Sequence, residues 1–171
     1  MNLKKIIIQI FIIGFFLNSY SQINDNVCTN IYLIRHAEKV RDDSSDKNPH
    51  LNSIGLKRAD KWKEVFINID FDEIFSTDLN RTIETALPTS NSQKIQIQKY
   101  FPSKKFYKDF FNLNNGKTVL VVGHSNTTPE FVNALIKNDF YDQIEDNNNG
   151  NLYYVQKCGS LSPTHMVLFI N

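Results

Sequence analysis

The chain has 171 residues, 41% of them hydrophobic and 22% charged, with a formal net charge of +1. That length and composition fit one globular domain able to bury a core without a metal or several disulfides. The near-balanced charge gives no bulk attraction for nucleic acid or a membrane surface, so any anion binding must come from a local cluster.

In chain order, the first feature is a leader. Lys4 and Lys5 precede an apolar run from Ile6 to Leu17, and Ser19-Tyr20-Ser21 supplies small residues at a cleavage site. This pattern predicts a secretory signal peptide over 1–21, cut before Gln22. The run is short for a membrane span, so no stable membrane insertion is expected after cleavage. Losing Lys4 and Lys5 takes the 19 Lys and Arg to 17 against 18 acids, so the mature domain, 22–171, is about neutral. Export makes the chain periplasmic or secreted. There the two cysteines, Cys28 and Cys158, suggest a disulfide, with two separate thiols as the alternative.

The rest alternates element types. Asn30–Arg35 reads as a strand and Ser53–Phe66 as a helix, with Ile54, Ala59, Trp62 and Phe66 near helical spacing. Asp72–Ser76 is a short strand, Asn80–Leu87 a helix ended by Pro88, and Ile95–Gln98 a weak strand. Lys104–Phe111 reads as a short helix and Thr118–Val122 as a buried strand. Thr128–Lys137 reads as a helix with a Thr cap and Pro129 at its first position. Leu152–Gln156 and Met166–Ile170 close the chain as strands around a turn at 159–163. This alternation predicts an α/β fold, a three-layer α/β/α sandwich with a mostly parallel central sheet.

Two apolar strands end in basic residues. Asn30–Ile34 delivers Arg35-His36, and Thr118–Val122 runs into Gly123-His124. In an open α/β sheet, ligands bind at the carboxyl ends of strands. Arg81 follows a third strand in the first turn of a helix, where backbone amides favour anions. Two guanidiniums can fork onto phosphate oxygens, and two imidazoles can serve as nucleophile, acid, base or donor. His36 and His124 with Glu38 could form a zinc set, but the flanking arginines would repel a cation. A tetrahedral anion suits the four better than a metal. His50 and His165 read as loop and structural residues, and Trp62 as core.

These segments resemble the histidine phosphatase superfamily, which also contains cofactor-dependent phosphoglycerate mutases. The resemblance rests on Arg35-His36-Ala37-Glu38, Leu51-x-x-x-Gly55, Ser76-x-x-x-x-Arg81-Thr82-x-x-Thr85-Ala86 and Val121-Val122-Gly123-His124, in that order. It implies that His36 is the nucleophile that becomes a phosphohistidine. It also implies that Arg35, Arg81 and His124 bind the phosphate, and that no cofactor is required. The expected partner is a small phosphorylated substrate, not nucleic acid.

The sequence departs from the family in several places. Ala37 replaces the usual Gly, and Lys39 and Asp42 stand where mutases carry a small hydroxyl residue and an Asn. The stretch between Arg81 and His124 has no general-acid Glu motif, and Ser125 replaces the Asp that another branch carries after its second His. Poor leaving groups need a proton donor. Glu38 is the nearest candidate, followed by Asp42, Asp43 and Asp46 on the next loop. The expected activity is metal-independent hydrolysis of phosphomonoesters. The alternatives are a non-catalytic phosphate-binding protein, or phosphoryl transfer of the phosphohistidine-phosphatase or mutase type.

Overall fold

The computed structural model describes residues 27–171, so the expected leader lies outside the described residues. Ten elements follow in order: β1 (Cys28–Arg35), α1 (Ser53–Val65), β2 (Glu73–Thr77), α2 (Asn80–Gln93), β3 (Ile97–Tyr100), α3 (Lys104–Leu113), β4 (Thr118–Gly123), α4 (Thr127–Ile136), β5 (Asn151–Cys158) and β6 (Thr164–Phe169). The strands form one sheet in the order β3-β2-β4-β1-β5-β6. β3, β2, β4 and β1 run parallel, whereas β5 and β6 pair antiparallel at one side.

The central strands β1 and β4 bury both faces, and the period of two sorts their side chains. Ile31, Leu33, Val119 and Val121 pack on one side with Tyr107 and Phe110 of α3 and Phe131, Val132 and Leu135 of α4. Ile34, Leu120 and Val122 point the other way, onto Trp62 and Phe66 of α1 and Ala86 of α2. Helices therefore cover both faces of a mixed but mostly parallel sheet, as the alternation predicts. Trp62 is core, stacked on Phe66 at 5.6 Å between ring centroids. Among the described residues no helix is long and apolar enough to cross a membrane.

Three local expectations change. α2 does not stop at Pro88 but continues to Gln93. Proline removes one helical N–H, yet Ala86, Thr89 and Ser90 are buried around it, and this packing outweighs the lost bond. The helix ends instead at Lys94, which is left-handed and donates its N–H to the Ser90 carbonyl. α4 begins one residue early, at Thr127, so Pro129 is its third residue, and Asn126 flanks it without a side-chain cap. The α2 N-terminus also has no side-chain cap, and Asp78, just before it, pairs with Lys99 at 2.7 Å.

Cys28 and Cys158 stand opposite each other in the β1–β5 register and form a disulfide across 130 residues of sequence. It joins the first described strand to the sheet's antiparallel side.

Candidate active site

β2, β4 and β1 are adjacent and parallel, so they end at one rim. The register sets Arg35 opposite Gly123, and Ser76 opposite Val122. His36, Thr77 and His124 therefore emerge side by side, and the His36 N–H donates to the Gly123 carbonyl at 2.9 Å. Two glycines make this closeness possible. A Cβ on Gly123 would lie 2.8 Å from Thr128 Oγ1, and one on Gly55 only 2.0 Å from the Glu38 carbonyl oxygen. The second contact explains the Leu-x-x-x-Gly spacing, since α1 starts flush against the backbone that follows the nucleophile candidate.

His36 is 4% exposed. Its Nδ1 lies 2.7 Å from the Ala37 carbonyl oxygen. A carbonyl can only accept, so Nδ1 carries the proton and Nε2 keeps its lone pair. Burial pushes the His36 pKa down to about 3, with His124, Arg35 and Arg81 acting in the same direction and the Ala37 bond opposing them. The His124 ring packs edge-on to His36 at 5.5 Å. Its pKa is pushed down to about 4, first by burial and then by Arg81, Arg35 and Lys39. His124 Nε2 lies 2.9 Å from the Thr77 hydroxyl, which in turn lies 2.9 Å from the Thr82 hydroxyl. Thr85 accepts from the Ala37 N–H at 2.8 Å and donates to the Arg81 carbonyl. The threonines of the Arg81 motif thus tie both histidines to α2.

Arg81 does not pair with Glu84, whose carboxylate instead bonds His50 and the Leu51 N–H. Arg81 Nε and Nη1 are buried and have no hydrogen-bond partner among the described residues. Arg35 is 2% exposed, and its Nε is likewise unpartnered. Its Nη1 donates to the carbonyls of Glu145, Asp146 and Asn148 at 2.8, 3.1 and 2.9 Å, and its Nη2 to Asp146 Oδ1 at 3.0 Å.

Arg35, His36, Arg81 and His124 line one recess of about 390 Å³, together with Lys39, Arg41 and Asp146. A larger cavity of about 600 Å³ lies between α3 and α4 but reaches none of these four, and the collected cations identify the smaller recess as the functional one. Glu38 is engaged elsewhere. Both its oxygens accept from Arg58 Nε, at 2.8 and 2.9 Å, and Oε1 also faces Arg58 Nη2 at 2.8 Å. Asp42, Asp43 and Asp46 are exposed and do not line the recess. Asp43 accepts from Ser45 and Asp46 from the Asn48 N–H, each closing its own turn. His165 bonds the Tyr141 hydroxyl at 2.8 Å, far along the sheet. Among the described residues no group of three or more His, Cys, Asp and Glu could hold a metal ion.

Sequence reading missed Asp146, Arg41, Thr77 and Asn149. Asn149 donates to the His36 carbonyl at 2.8 Å. The available signal was the run of asparagines before β5, which places short polar side chains next to a central strand.

Comparison with known proteins bears on the fold. The sequence model of the histidine phosphatase superfamily (branch 1) matches residues 31–100, a span holding Arg35, His36 and Arg81. The match covers less than half of the chain. No curated protein matches the chain. Similar solved structures include a mycobacterial glucosyl-3-phosphoglycerate phosphatase, at 13% identity and TM-score 0.67, covering 84% of this chain and 99% of that one. The protein histidine phosphatase SixA complexed with tungstate has 12% identity and TM-score 0.66, over 82% and 96%. A phosphoserine phosphatase from Entamoeba histolytica in complex with 3-phosphoglyceric acid has 16% identity and TM-score 0.60, over 84% and 97%. At such identities these likenesses speak for the fold. Within this fold, the chain brings two histidines and two arginines to one recess.

Proposed function

We propose that the protein is a histidine phosphatase that hydrolyses small phosphomonoesters through a phosphohistidine on His36. The observation that carries the reading is a buried neutral imidazole, with its Nε2 lone pair kept, beside the unpartnered buried donors of Arg81. Buried polar groups without partners are rare in folded proteins, and a tetrahedral oxyanion would satisfy these. In the first step Nε2 bonds to phosphorus as the ester P–O bond breaks, and the leaving oxygen departs with the electron pair and takes up a proton. In the second step water attacks phosphorus, the P–N bond breaks and inorganic phosphate leaves. Arg35, Arg81 and His124 would stabilise the equatorial oxygens in both steps. The cationic lining disfavours a bound metal ion, so the chemistry is read as metal-independent.

The leaving-group proton is the weak point. Glu38 is the sequence's candidate donor, but both its oxygens are held by Arg58, so Glu38 would have to leave Arg58 first. The domain is therefore read as favouring leaving groups that need little protonation, such as aryl or acyl phosphates. A second reading, binding without turnover, draws on the same observation.

Residues 1–21 are read as a cleaved leader ahead of a catalytic domain over 22–171, placing the protein in the periplasm or outside the cell. The Cys28–Cys158 disulfide supports an oxidising compartment. Purified protein is expected to release p-nitrophenol from p-nitrophenyl phosphate with or without excess EDTA, and a His36→Ala variant is expected to be inactive. No turnover of this activated ester by folded wild type would leave only the binding reading.

A further inference from the structure

The two edges of the sheet are finished differently. β3, at one edge, has four residues, and its Lys99 pairs with Asp78 at 2.7 Å. Shortness and charge are common protections of a sheet edge against other chains. β6, at the opposite edge, reads Thr164-His165-Met166-Val167-Leu168-Phe169, without a lysine, an acid or a proline. Met166, Val167, Leu168 and Phe169 are 51%, 42%, 48% and 59% exposed, so apolar side chains meet water on both faces of this strand. Phe140, 60% exposed, packs beside the His165 ring at 5.1 Å and widens the apolar surface on the α4 face.

The backbone of β6 is open along the same edge. The Ile170 N–H donates to the Gly150 carbonyl at 2.8 Å, which continues the β5–β6 register by one residue. Successive residues of a strand turn their N–H and C=O groups to opposite sides. Met166 and Leu168 therefore bond β5, as Ile170 does, whereas His165, Val167 and Phe169 turn their N–H and C=O groups to the free edge. A two-fold axis through Val167 sets these groups against those of a second copy. Val167 then pairs with its own image and His165 with Phe169, so every outward donor meets an acceptor. The side chains match in the same register. On one face Met166 lies directly opposite Leu168 of the second copy. On the other, Phe169 comes beside His165 and Phe140 of the second copy.

We propose that β6 docks a second copy of this chain, edge to edge and antiparallel about Val167, so that one continuous sheet runs through a symmetric dimer. A closed two-fold contact needs a patch that is complementary to itself, and this strand is one. No lysine, arginine or carboxylate of β6 faces its own image across the axis. Half-exposed side chains of this size show on the order of 100 Å² each, so Phe140 and the four residues of β6 in two copies cover about 1,000 Å², the lower bound for a specific interface. Pairing also closes an edge that otherwise templates uncontrolled association. The inference is independent of the phosphate chemistry. The recess lies at the rim of β1, β2 and β4, and the two-fold axis sends the two recesses to opposite ends of the joined sheet, both open.

Sedimentation equilibrium of the purified protein tests this, with vesicle flotation beside it. Wild type is expected to reach twice the chain mass, with a dimer Kd on the order of 1–10 µM for so small an interface. Val167→Lys sets like charges against each other across the axis and is expected to weaken association at least about 100-fold, and Val167→Asp to do the same. An equimolar mixture of these two variants is expected to return to within about tenfold of the wild-type Kd, because an ammonium then meets a carboxylate. That recovery also shows that both variants fold. A wild type still monomeric at about 200 µM, a dimer that survives Val167→Lys, or a mixture that stays monomeric overturns the proposal. So does a monomer that floats with vesicles of phosphatidylethanolamine and phosphatidylglycerol, which would assign the strand to a membrane surface instead.

Discussion

Arg35 and Arg81 reach the same recess from two regions of the molecule, and they arrive in opposite states. Arg35, at the end of β1, is clasped by the loop before β5, with three carbonyls and a carboxylate on its two terminal nitrogens. Arg81, in the first turn of α2, buries Nε and Nη1 without a hydrogen-bond partner among the described residues. One guanidinium therefore acts as a structural tie and a binding group together, while the other is kept for a ligand. Two arginines that look equivalent in a motif differ in what they cost the fold.

The difference can be broken by mutation. Arg35→Ala should lose turnover of p-nitrophenyl phosphate by at least about 10³-fold and also destabilise the protein by roughly 3 kcal/mol, since at least two charge-assisted hydrogen bonds vanish. Arg81→Ala should lose about 10²–10³ in turnover but change stability by less than about 1 kcal/mol, because no protein partner is orphaned. Urea denaturation beside steady-state kinetics separates the two variants. Equal destabilisation by both would refute the distinction.

This asymmetry also marks how far the sequence could be read. Arg35-His36, Arg81 and Gly123-His124 were legible because each follows an apolar strand, and parallel strands bring their ends together. The partners of Arg35 were not legible, because the Glu145 carbonyl lies 110 residues away in sequence. A loop that closes over a site from another part of the chain leaves no periodicity behind. Glu38 misleads for the same reason. It is next but one to His36, yet Arg58, one turn into α1, claims both its oxygens. Pro88 reads as a helix end because local propensity says so, and the burial of Thr89 and Ser90 overrides it.

The two sides of the sheet sharpen the comparison further. The parallel side carries the site, and the antiparallel side carries the disulfide that holds β5 to β1. Cys28→Ala with Cys158→Ala should cost about 2–4 kcal/mol of stability, seen as a lower urea midpoint, while the activity of the folded fraction is retained. A large loss of specific activity would mean that the disulfide also positions the loop before β5. Asn149→Ala probes that loop directly. It removes one buried bond to the His36 carbonyl and should cost about 1–2 kcal/mol, less than Arg35→Ala.

The smallest expected effect is the pH dependence, and its sign follows from burial. Folding lowers His36 from the ordinary 6.5 to about 3 and His124 from 6.5 to about 4, in each case mainly because the ring is desolvated. The unfolded chain therefore binds protons that the folded chain refuses as pH falls below 6.5. The stability these neutral rings confer is complete above that value and is lost progressively as pH drops toward their folded pKa values. The midpoint of thermal unfolding should fall between pH 7 and pH 5, a window above the range where ordinary carboxylates titrate. A His36→Asn, His124→Asn double variant should show a flatter slope there. Turnover should behave differently over the same window. A nucleophile that stays neutral to about pH 4 sets no acid limb near pH 6, so kcat/KM per folded molecule should not fall with an apparent pKa near 6.5. An acid limb at the ordinary histidine value would mean that His36 is more accessible to water than its position against Gly123 and Ala37 allows.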